Sequence, residues 1–153
     1  VKTESPEPIE TIIINELICD IVKTVEKNSV ELTIIEKNTI QTSGRQIQLK
    51  RAFNNIIDNS QRYANKIEII IYTNEKDCVI EFNDNGEGIP RDKYEDVFKP
   101  FFTLDPSRNK LKGESGLGLT ITRDIIRSHG GDVKLSDSNL GGLQLKVLLP
   151  LWF

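Results

Sequence analysis

The segment RAFNNIIDNSQRYAN, residues 51–65, decides the fold of this chain, because two stripes of side chains appear when it is read as a helix. Apolar residues with the spacing of one helical face predict a surface that packs on the protein core; they are Leu49, Phe53, Ile56 and Ile57. Polar residues repeat the same spacing on a neighbouring face; they are Asn55, Asn59, Arg62 and Tyr63. Such a face suits a cation, a phosphate and a flat ring, although a merely solvated face shows the same pattern. The glycine-rich segments downstream favour the interpretation that this face binds a ligand over the interpretation that it is only solvated.

The composition is that of one globular domain, or of one domain with a tail. The 153 residues are 37% apolar and 28% charged. No apolar run approaches the roughly 18 residues that a membrane-spanning helix needs. A formal net charge of −3 and an even spread of lysine and arginine argue against a nucleic-acid-binding surface. Because the chain begins at Val1 and contains no methionine, we expect it to be a piece of a longer protein.

Cysteine and histidine are too scarce for a metal cluster or a disulfide framework. Cys19 and Cys78 stand apart in the sequence, which fits a reducing, cytoplasmic setting, and Cys78 is predicted to be a small core residue. His129, the only histidine, precedes Gly130 at a predicted helix end, so we expect it to cap carbonyl groups rather than to act in catalysis. Without partners at metal-ligand spacing, a zinc site is excluded.

Apolar periodicity predicts three helices and six strands in mixed order, which would build a sheet of about five strands. The strand predictions are 9–14 as an edge strand, 30–37, two strands within 66–84 joined by a turn at Asn74–Asp77, 131–138 and 142–150. The helix predictions are 15–28 with Asn15 as N-cap, 46–64 and 116–128. Residues 38–44 and 92–113 are predicted loops, the second with an aromatic cluster of Phe98, Phe101 and Phe102. This order predicts an α+β fold, a two-layer sandwich with the helices on one face of a mostly antiparallel sheet.

The segment from Asp84 to Pro90 ends a predicted strand with an acid followed by two glycines. A carboxylate at a strand end can accept a hydrogen bond from an exocyclic amine, the group that distinguishes adenine from guanine. Gly86 and Gly88 allow the backbone to turn sharply and to approach a flat ligand. An ordinary turn has the same signature, so both interpretations stay open here.

A second glycine-rich segment, 113–119, leads directly into the last predicted helix. A helix that begins this way presents free N–H groups and the positive end of its dipole, which suits phosphate oxygens. The segment lacks the Gly-Lys-Ser/Thr of a P-loop, and it does not follow a strand as a dinucleotide-binding turn would. A flexible loop with a glycine cap is the alternative.

Taken in order, these segments resemble the ATP-binding catalytic domain of bacterial sensor histidine kinases, part of the gyrase, Hsp90 and MutL ATPase superfamily with its Bergerat fold. The resemblance runs from about Pro8 to Pro150. Asn55-x-x-x-Asn59-x-x-Arg62-Tyr63 resembles the N box, Asp84-x-Gly86-x-Gly88 the G1 box, Phe98-x-Pro100-Phe101-Phe102 the F box and Gly116-Leu117-Gly118-Leu119 the G2 box. The sequence LDPSRN and the ending GGLQLKVLLP look most like the EnvZ osmosensor kinases.

The resemblance implies a role for each matching residue. Asp84 would bind the adenine amine while Tyr63 packs on the ring; Asn59 would hold Mg²⁺ with Asn55 beside it as catalytic residues, and Arg62 would contact phosphate. The backbone from Ser115 to Leu119 would cradle the triphosphate under a lid between Phe102 and Gly113. Because Thr103 stands where arginine is usual, Arg108 would be the lid cation, and Glu114 replaces a common glycine. The implied nucleotide-binding residues are Asn55, Asn59, Arg62, Tyr63, Asp84, Gly86, Gly88, Ile89, Phe102, Arg108, Ser115, Gly116, Leu117, Gly118 and Leu119.

The resemblance also implies a function and partners. Residues 1–8 would be a linker, and 9–153 a domain that binds Mg-ATP and donates the γ-phosphoryl group to a histidine on a separate dimerisation domain. A response regulator, expected to be OmpR-type, would act downstream, and the full-length kinase would be anchored in the inner membrane. Two alternatives stay open: a nucleotide-gated interaction module, and a stand-alone ATPase. The ATPase would need an acidic base on the N-box helix, where Asp58 is the only acid.

Overall fold

Runs rich in isoleucine and valine build one layer of the fold, and amphipathic helices build the other. The computed structural model describes residues 6–25, 30–102 and 118–151. In chain order the elements are β1 (Glu10–Ile13), α1 (Ile14–Lys23), β2 (Glu31–Glu36), β3 (Gln41–Gly44), α2 (Gln46–Tyr63), β4 (Lys66–Thr73), β5 (Asp77–Asp84), 3-10 turns at Arg91–Lys93 and Asp96–Phe98, α3 (Gly118–Ser128), β6 (Asp132–Asp137) and β7 (Leu143–Pro150). The first two residues of the helix predicted over 116–128 lie outside the described residues.

The main sheet has five strands in the order β2–β4–β5–β7–β6. β2 runs parallel to β4, whereas the other neighbours are antiparallel. The predicted α+β fold with a mostly antiparallel sheet is therefore confirmed. No helix in the described part of the chain is long and apolar enough to cross a lipid bilayer.

The apolar stripe of α2 lies on the inner face of this sheet. Phe53 of α2 contacts Phe82 of β5, with ring centroids 6.1 Å apart. Burying a side chain of this size contributes about 1.5–3 kcal/mol. The predicted core stripe is confirmed, because Leu49, Phe53, Ile56 and Ile57 are all buried, and so is Cys78.

The turn between β4 and β5 forms where the sequence predicts it, because the Asn74 side chain closes it. Its Oδ1 accepts hydrogen bonds from the N–H groups of Lys76 and Asp77, at 3.0 and 2.8 Å. An asparagine that binds its own backbone two residues on imitates a tight turn. The two strands then pair from Thr73 with Cys78 to Ile67 with Asp84.

The prediction that Asn15 caps α1 is wrong. Ile13 is the N-cap residue, and Asn15 lies inside the helix, 5% exposed. Its Oδ1 accepts a hydrogen bond from the Ile40 N–H at 2.7 Å, and its Nδ2 donates to the Asn38 carbonyl at 2.9 Å. Its side chain therefore satisfies a chain segment more than twenty residues away instead of the first turn of its own helix.

The prediction that 38–44 is a loop is also wrong in part. Residues 41–44 form β3, which pairs antiparallel with β1 from Ile13 with Gln41 to Glu10 with Gly44. The strand predicted over 9–14 exists, but it belongs to this separate two-stranded sheet. The segment TSG carries no run of β-branched residues, so only its distant partner makes it a strand.

The N-terminus of α2 is capped by a residue from the start of the chain. Its N-cap residue, Arg45, makes no side-chain cap hydrogen bond, and its first turn contains no acid. The Glu7 carboxylate instead accepts hydrogen bonds from the N–H groups of Ile47 and Gln48, at 2.6 and 3.2 Å. The Arg45 Nε–H donates to the Glu7 carbonyl at 3.2 Å. Glu7 thus satisfies N–H groups that the helix itself leaves free, and it places a negative charge at the positive end of the helix dipole.

We expect Glu7→Ala to lower the free energy of unfolding by about 0.5–2 kcal/mol, the usual cost of losing an N-terminal cap. Urea unfolding followed by circular dichroism measures this change. Glu10→Ala is the matched control, because Glu10 is an exposed glutamate of the neighbouring strand. Equal unfolding midpoints for the two variants would contradict the capping role.

Candidate functional site

Helix α2 brings the predicted N, G1 and G2 boxes together. Near its middle, Asn55 Nδ2 donates a hydrogen bond to the Gly118 carbonyl at 3.4 Å, which joins the N box to the G2 box. At its C-terminal end, a Cβ placed on Gly86 would lie 2.7 Å from the Tyr63 carbonyl oxygen. The G1 backbone therefore lies directly against the last residue of α2, and a side chain at position 86 would separate the two.

Asn85 strengthens this contact between the N and G1 boxes. Its Oδ1 accepts hydrogen bonds from the N–H groups of Asn65 and Lys66, at 3.1 and 3.0 Å. Its Nδ2 donates to Asn65 Oδ1 at 2.7 Å. Sequence reasoning missed this residue, because it occupies a variable position within the Asp84-x-Gly86 pattern.

Asp84 is the buried carboxylate of the site, 6% exposed at the end of β5. Its Oδ1 accepts hydrogen bonds from the N–H groups of Gly86 and Leu143, each at 3.0 Å. Burial raises the pKa of the Asp84 carboxyl above its ordinary value, and the two N–H donors partly offset this rise. These donors orient the carboxylate. The part of the chain that the structure describes donates no hydrogen bond to its Oδ2, which can therefore accept from another donor.

The turn before β7 is the second support of Asp84. The Gly142 N–H donates a hydrogen bond to the Asp84 carbonyl at 3.0 Å. A Cβ on Gly142 would lie 2.2 Å from Asp84 Oδ1 and 2.5 Å from the Gly86 nitrogen, so position 142 requires glycine. Gly88, with φ of 73°, lies on the other side of this contact. A Cβ placed on Gly88 would lie 3.7 Å from the Gly142 carbonyl group. The pair Gly141-Gly142 was the available sequence signal, but from the sequence Gly142 was interpreted only as the first residue of the strand predicted over 142–150.

The polar stripe of α2 is half-buried along its length, at Asn55, Asn59, Arg62 and Tyr63. Within the described ranges, neither the Asn59 amide nor the Arg62 guanidinium has a hydrogen bond or an ion pair. Amide oxygen is a ligand type that Mg²⁺ accepts, and a guanidinium suits phosphate. Asp58 is exposed and lies on another side of the helix, where it lines a cleft with Ile21 and Val25.

The three aromatic residues of the F box differ in burial. Phe98 is buried, whereas Phe101, with φ of 61°, is 72% exposed, and Phe102 is half-buried. The left-handed backbone at Phe101 turns its ring away from the core that holds Phe98. Phe98 instead joins α3: its carbonyl accepts a hydrogen bond from Thr120 Oγ1 at 2.7 Å, and the Arg123 guanidinium lies 4.2 Å from its ring centroid.

Part of the predicted site lies outside the described residues. This applies to Thr103, Arg108, Glu114, Ser115, Gly116 and Leu117. Gly118, Leu119 and Ile89 are described, and all are half-buried. The roles predicted for the lid and for the backbone from Ser115 to Leu117 therefore stay predictions.

Comparisons with known proteins agree with this arrangement of motifs. A family model described as histidine kinase-, DNA gyrase B- and HSP90-like ATPase matches residues 44–152. This chain belongs to that family. The sensor histidine kinase CpxA of Escherichia coli K12 is 39% identical over 105 residues, which are 68% of this chain and 23% of CpxA. The expected relationship to sensor histidine kinases is confirmed, and the chain spans less than a third of the length of this relative.

Solved structures of sensor kinases show the same fold. The mycobacterial sensor histidine kinase MprB superposes with a TM-score of 0.81 at 24% identity, over 93% of this chain and 97% of that chain. The ATP binding domain of PrrB from Mycobacterium tuberculosis gives a TM-score of 0.76 at 22% identity, over 95% of this chain and 98% of that one. The predicted Bergerat-type architecture is confirmed by these two likenesses.

We expect Asp84→Ala to lower the free energy of unfolding by about 1–3 kcal/mol, because it leaves the buried N–H groups of Gly86 and Leu143 without an acceptor. Asp84→Asn retains an oxygen at Oδ1, so its free energy of unfolding should not fall by this amount. Because the folded-state pKa of Asp84 is raised above 3.8, the wild type should lose stability relative to Asp84→Asn as pH rises through that raised pKa. Urea titrations at several pH values measure both effects, and equal losses in the two variants would contradict the bonding described here.

Proposed function

We propose that this chain binds Mg-ATP and donates the γ-phosphoryl group to a histidine on the separate dimerisation domain of a two-component sensor kinase. The observation that carries the proposal is the buried Asp84, whose Oδ1 is fixed by two N–H donors beside the C-terminal end of α2. Membership of the ATPase family and the likeness to the ATP binding domain of PrrB support it. Residues 1–8 would be the linker to that dimerisation domain, and 9–153 the catalytic domain.

Adenine recognition would rest on Asp84 Oδ2. With Oδ1 occupied by the backbone, Oδ2 accepts a hydrogen bond from the exocyclic amine of adenine, a position at which guanine has a carbonyl oxygen. Gly86 and Gly88 keep side chains away from the plane of the base. Tyr63, whose backbone carbonyl lies beside Gly86 at the end of α2, would pack its ring on that plane.

The polar face of α2 would serve the phosphate end of the nucleotide. Asn59 supplies an amide oxygen to Mg²⁺, with Asn55 beside it, and Arg62 contacts phosphate. A bound Mg²⁺ would neutralise charge on the triphosphate, and a site built from neutral amides does not repel an anionic nucleotide. The backbone from Ser115 to Leu119 and the lid cation Arg108 complete the assignment by resemblance.

Phosphoryl transfer asks mainly for positioning and charge neutralisation, so the attacking histidine can come from a separate domain. That domain would belong to the same kinase, with a response regulator, OmpR-type in the EnvZ-like class, as the next acceptor. The full-length kinase would be anchored in the inner membrane with this domain in the cytoplasm. The EnvZ-like class rests on the LDPSRN and GGLQLKVLLP segments.

A stand-alone ATPase is the less favoured function. It would need a carboxylate on α2 that activates water beside the phosphates. Asp58 lies with Ile21 and Val25 on the side of α2 that faces α1, whereas Asn55 and Asn59 lie on the side towards α3. This placement separates the acid from the proposed phosphate site.

Adenine selectivity should depend on Asp84. We expect Asp84→Asn to weaken ATP binding by about 1–3 kcal/mol, because an amide NH₂ in place of Oδ2 cannot accept from the adenine amine. Calorimetric titrations with ATP and with GTP measure affinity and selectivity. Asp137→Asn is the control, since Asp137 is an exposed aspartate at the end of β6. Unchanged ATP affinity in Asp84→Asn would refute the adenine assignment.

Phosphotransfer should require an added acceptor. With γ-labelled ATP, we expect the chain to label a separately supplied dimerisation domain and to leave its own His129 unlabelled, with Asn59→Asp failing in Mg²⁺-dependent transfer. His129 lies about 16 Å along α3 from Gly118 at 1.5 Å per residue, whereas attack needs about 3–3.5 Å. The readout is acid-labile phosphate on each protein, with His129→Ala as control.

Full activity of Asn59→Asp would overturn the metal assignment, and His129-dependent self-labelling would overturn the separate-acceptor proposal.

A further inference from the structure

Helices α2 and α3 run antiparallel and share three polar contacts along their interface. Asn55 Nδ2 donates to the Gly118 carbonyl at 3.4 Å, and Thr122 Oγ1 donates to the Ala52 carbonyl at 3.4 Å. At the far end, the Arg45 N–H donates to His129 Nε2 at 3.0 Å. In these three contacts the residue numbers fall along α2 as they rise along α3, which shows the antiparallel arrangement. Each contact opposes sliding of one helix along the other.

The hydrogen bonds of His129 define the protonation of its ring. Because Nε2 accepts from the Arg45 N–H, it carries no proton. Nδ1 lies 2.8 Å from the Ile125 carbonyl, so Nδ1 carries the proton and donates it. The ring also packs tightly on Gly44, since a Cβ there would lie 2.8 Å from His129 Cδ2. One neutral tautomer therefore joins the end of α3 to the start of α2.

His129 is not needed to end α3. The Gly130 N–H donates to the Arg127 carbonyl at 3.0 Å, and the Gly131 N–H donates to the Ile126 carbonyl at 3.0 Å. With Gly130 at φ of 81°, these two bonds are the glycine-based helix ending known as the Schellman motif. The backbone alone thus closes the helix, and the contact of Nε2 with Arg45 requires a separate explanation.

We propose that His129 is a positioning residue that sets the axial register of α3 against α2, and through it the place of Gly118 beside Asn55. The inference rests on the proposed function, because Asn55 and Gly118 belong to the N and G2 boxes of the nucleotide site. His129 lies about 16 Å from Gly118 along the helix, so it touches neither nucleotide nor metal. Glu7 accepts hydrogen bonds from the N–H groups of Ile47 and Gln48 at the same end of α2, so this end of the helix is held by both Glu7 and His129.

Two isosteric substitutions separate this role from simple capping. In His129→Gln, the amide oxygen can occupy the place of Nε2 and accept from the Arg45 N–H. In His129→Asn, the shorter amide reaches only the place of Nδ1, so it keeps the contact with the Ile125 carbonyl and loses Arg45. A capping role predicts that asparagine is the better replacement, whereas a register role predicts glutamine.

The experiment measures the ATP affinity and the unfolding midpoint of the wild-type chain and of both variants. We expect His129→Asn to weaken ATP binding about five- to tenfold, the scale of one hydrogen bond, and His129→Gln to stay close to wild type. Val79→Ala is the stability control, because Val79 is buried on the sheet but lies outside the main core cluster. It should lower the unfolding midpoint without changing ATP affinity. Equal ATP affinities in the glutamine and asparagine variants would overturn the inference.

A nuclear magnetic resonance measurement tests the inference independently of nucleotide binding. As the chain contains one histidine, its ring nitrogens give a single pair of signals, and we expect protonation at Nδ1 with none at Nε2. The Gly118 amide and Asn55 side-chain signals should shift in His129→Asn and not in His129→Gln. Failure of the wild type to bind ATP would refute the proposed function, while these signals would still decide the register. A proton on Nε2, or unmoved Gly118 signals in His129→Asn, would refute the register role.

Discussion

The structure depends on one constraint: α2 must pack on the sheet with one face and present polar groups with the next. Phe53 meets Phe82 on the sheet side, while Asn55, two positions later, reaches Gly118 of α3. A helix rotates about 100° per residue, so residues two positions apart are rotated by about 200°, and their side chains point about 160° away from each other. The apolar face cannot rotate away from the sheet without losing its burial, and this fixes the direction of the polar face. The hydrophobic effect thereby orients groups that are not hydrophobic.

Asp84 shows how burial and charge oppose each other in this fold. Burial raises its pKa, which means that the folded state resists the charged form. The N–H groups of Gly86 and Leu143 offset part of that cost and orient the carboxylate. They reach Oδ1 only because Gly142 has no side chain, since a Cβ there would overlap the carboxylate oxygen. A glycine in a distant turn thus permits a charged group to be buried in a defined direction.

The N-terminus of α2 is a meeting point for distant parts of the chain. Its free N–H groups are satisfied by Glu7 from the start of the chain and, at Arg45, by His129 from the end of α3. Unsatisfied N–H groups at a helix start cost free energy when they are shielded from water, so such a point attracts acceptors from elsewhere in the fold. Here the acceptors tie the segment that enters the domain, the N-box helix and the G2-box helix to one another.

Local pattern was enough for much of the fold. The two stripes of α2, the hairpin turn at Asn74 and the glycine-rich segments are visible in the sequence, because helical rotation, strand alternation and turn chemistry act over a few residues. The family resemblance also followed from motif order, and the comparisons confirmed it. The position of Asp84 at a strand end was predicted in the same way and is confirmed by β5.

Tertiary structure decided the contacts between segments that are far apart. β3 exists because Gly44 and its neighbours pair with β1, and Asn15 serves Ile40 instead of its own helix. The bond of His129 to Arg45 joins residues 84 positions apart. Such hydrogen bonds leave no periodic signal in the sequence. Each partner could also be satisfied locally, by water or by another segment, and only the folded core brings the two partners together. The sequence by itself predicted most of the elements and a set of candidate nucleotide-binding residues; only the folded chain determined how the described residues of that set are held.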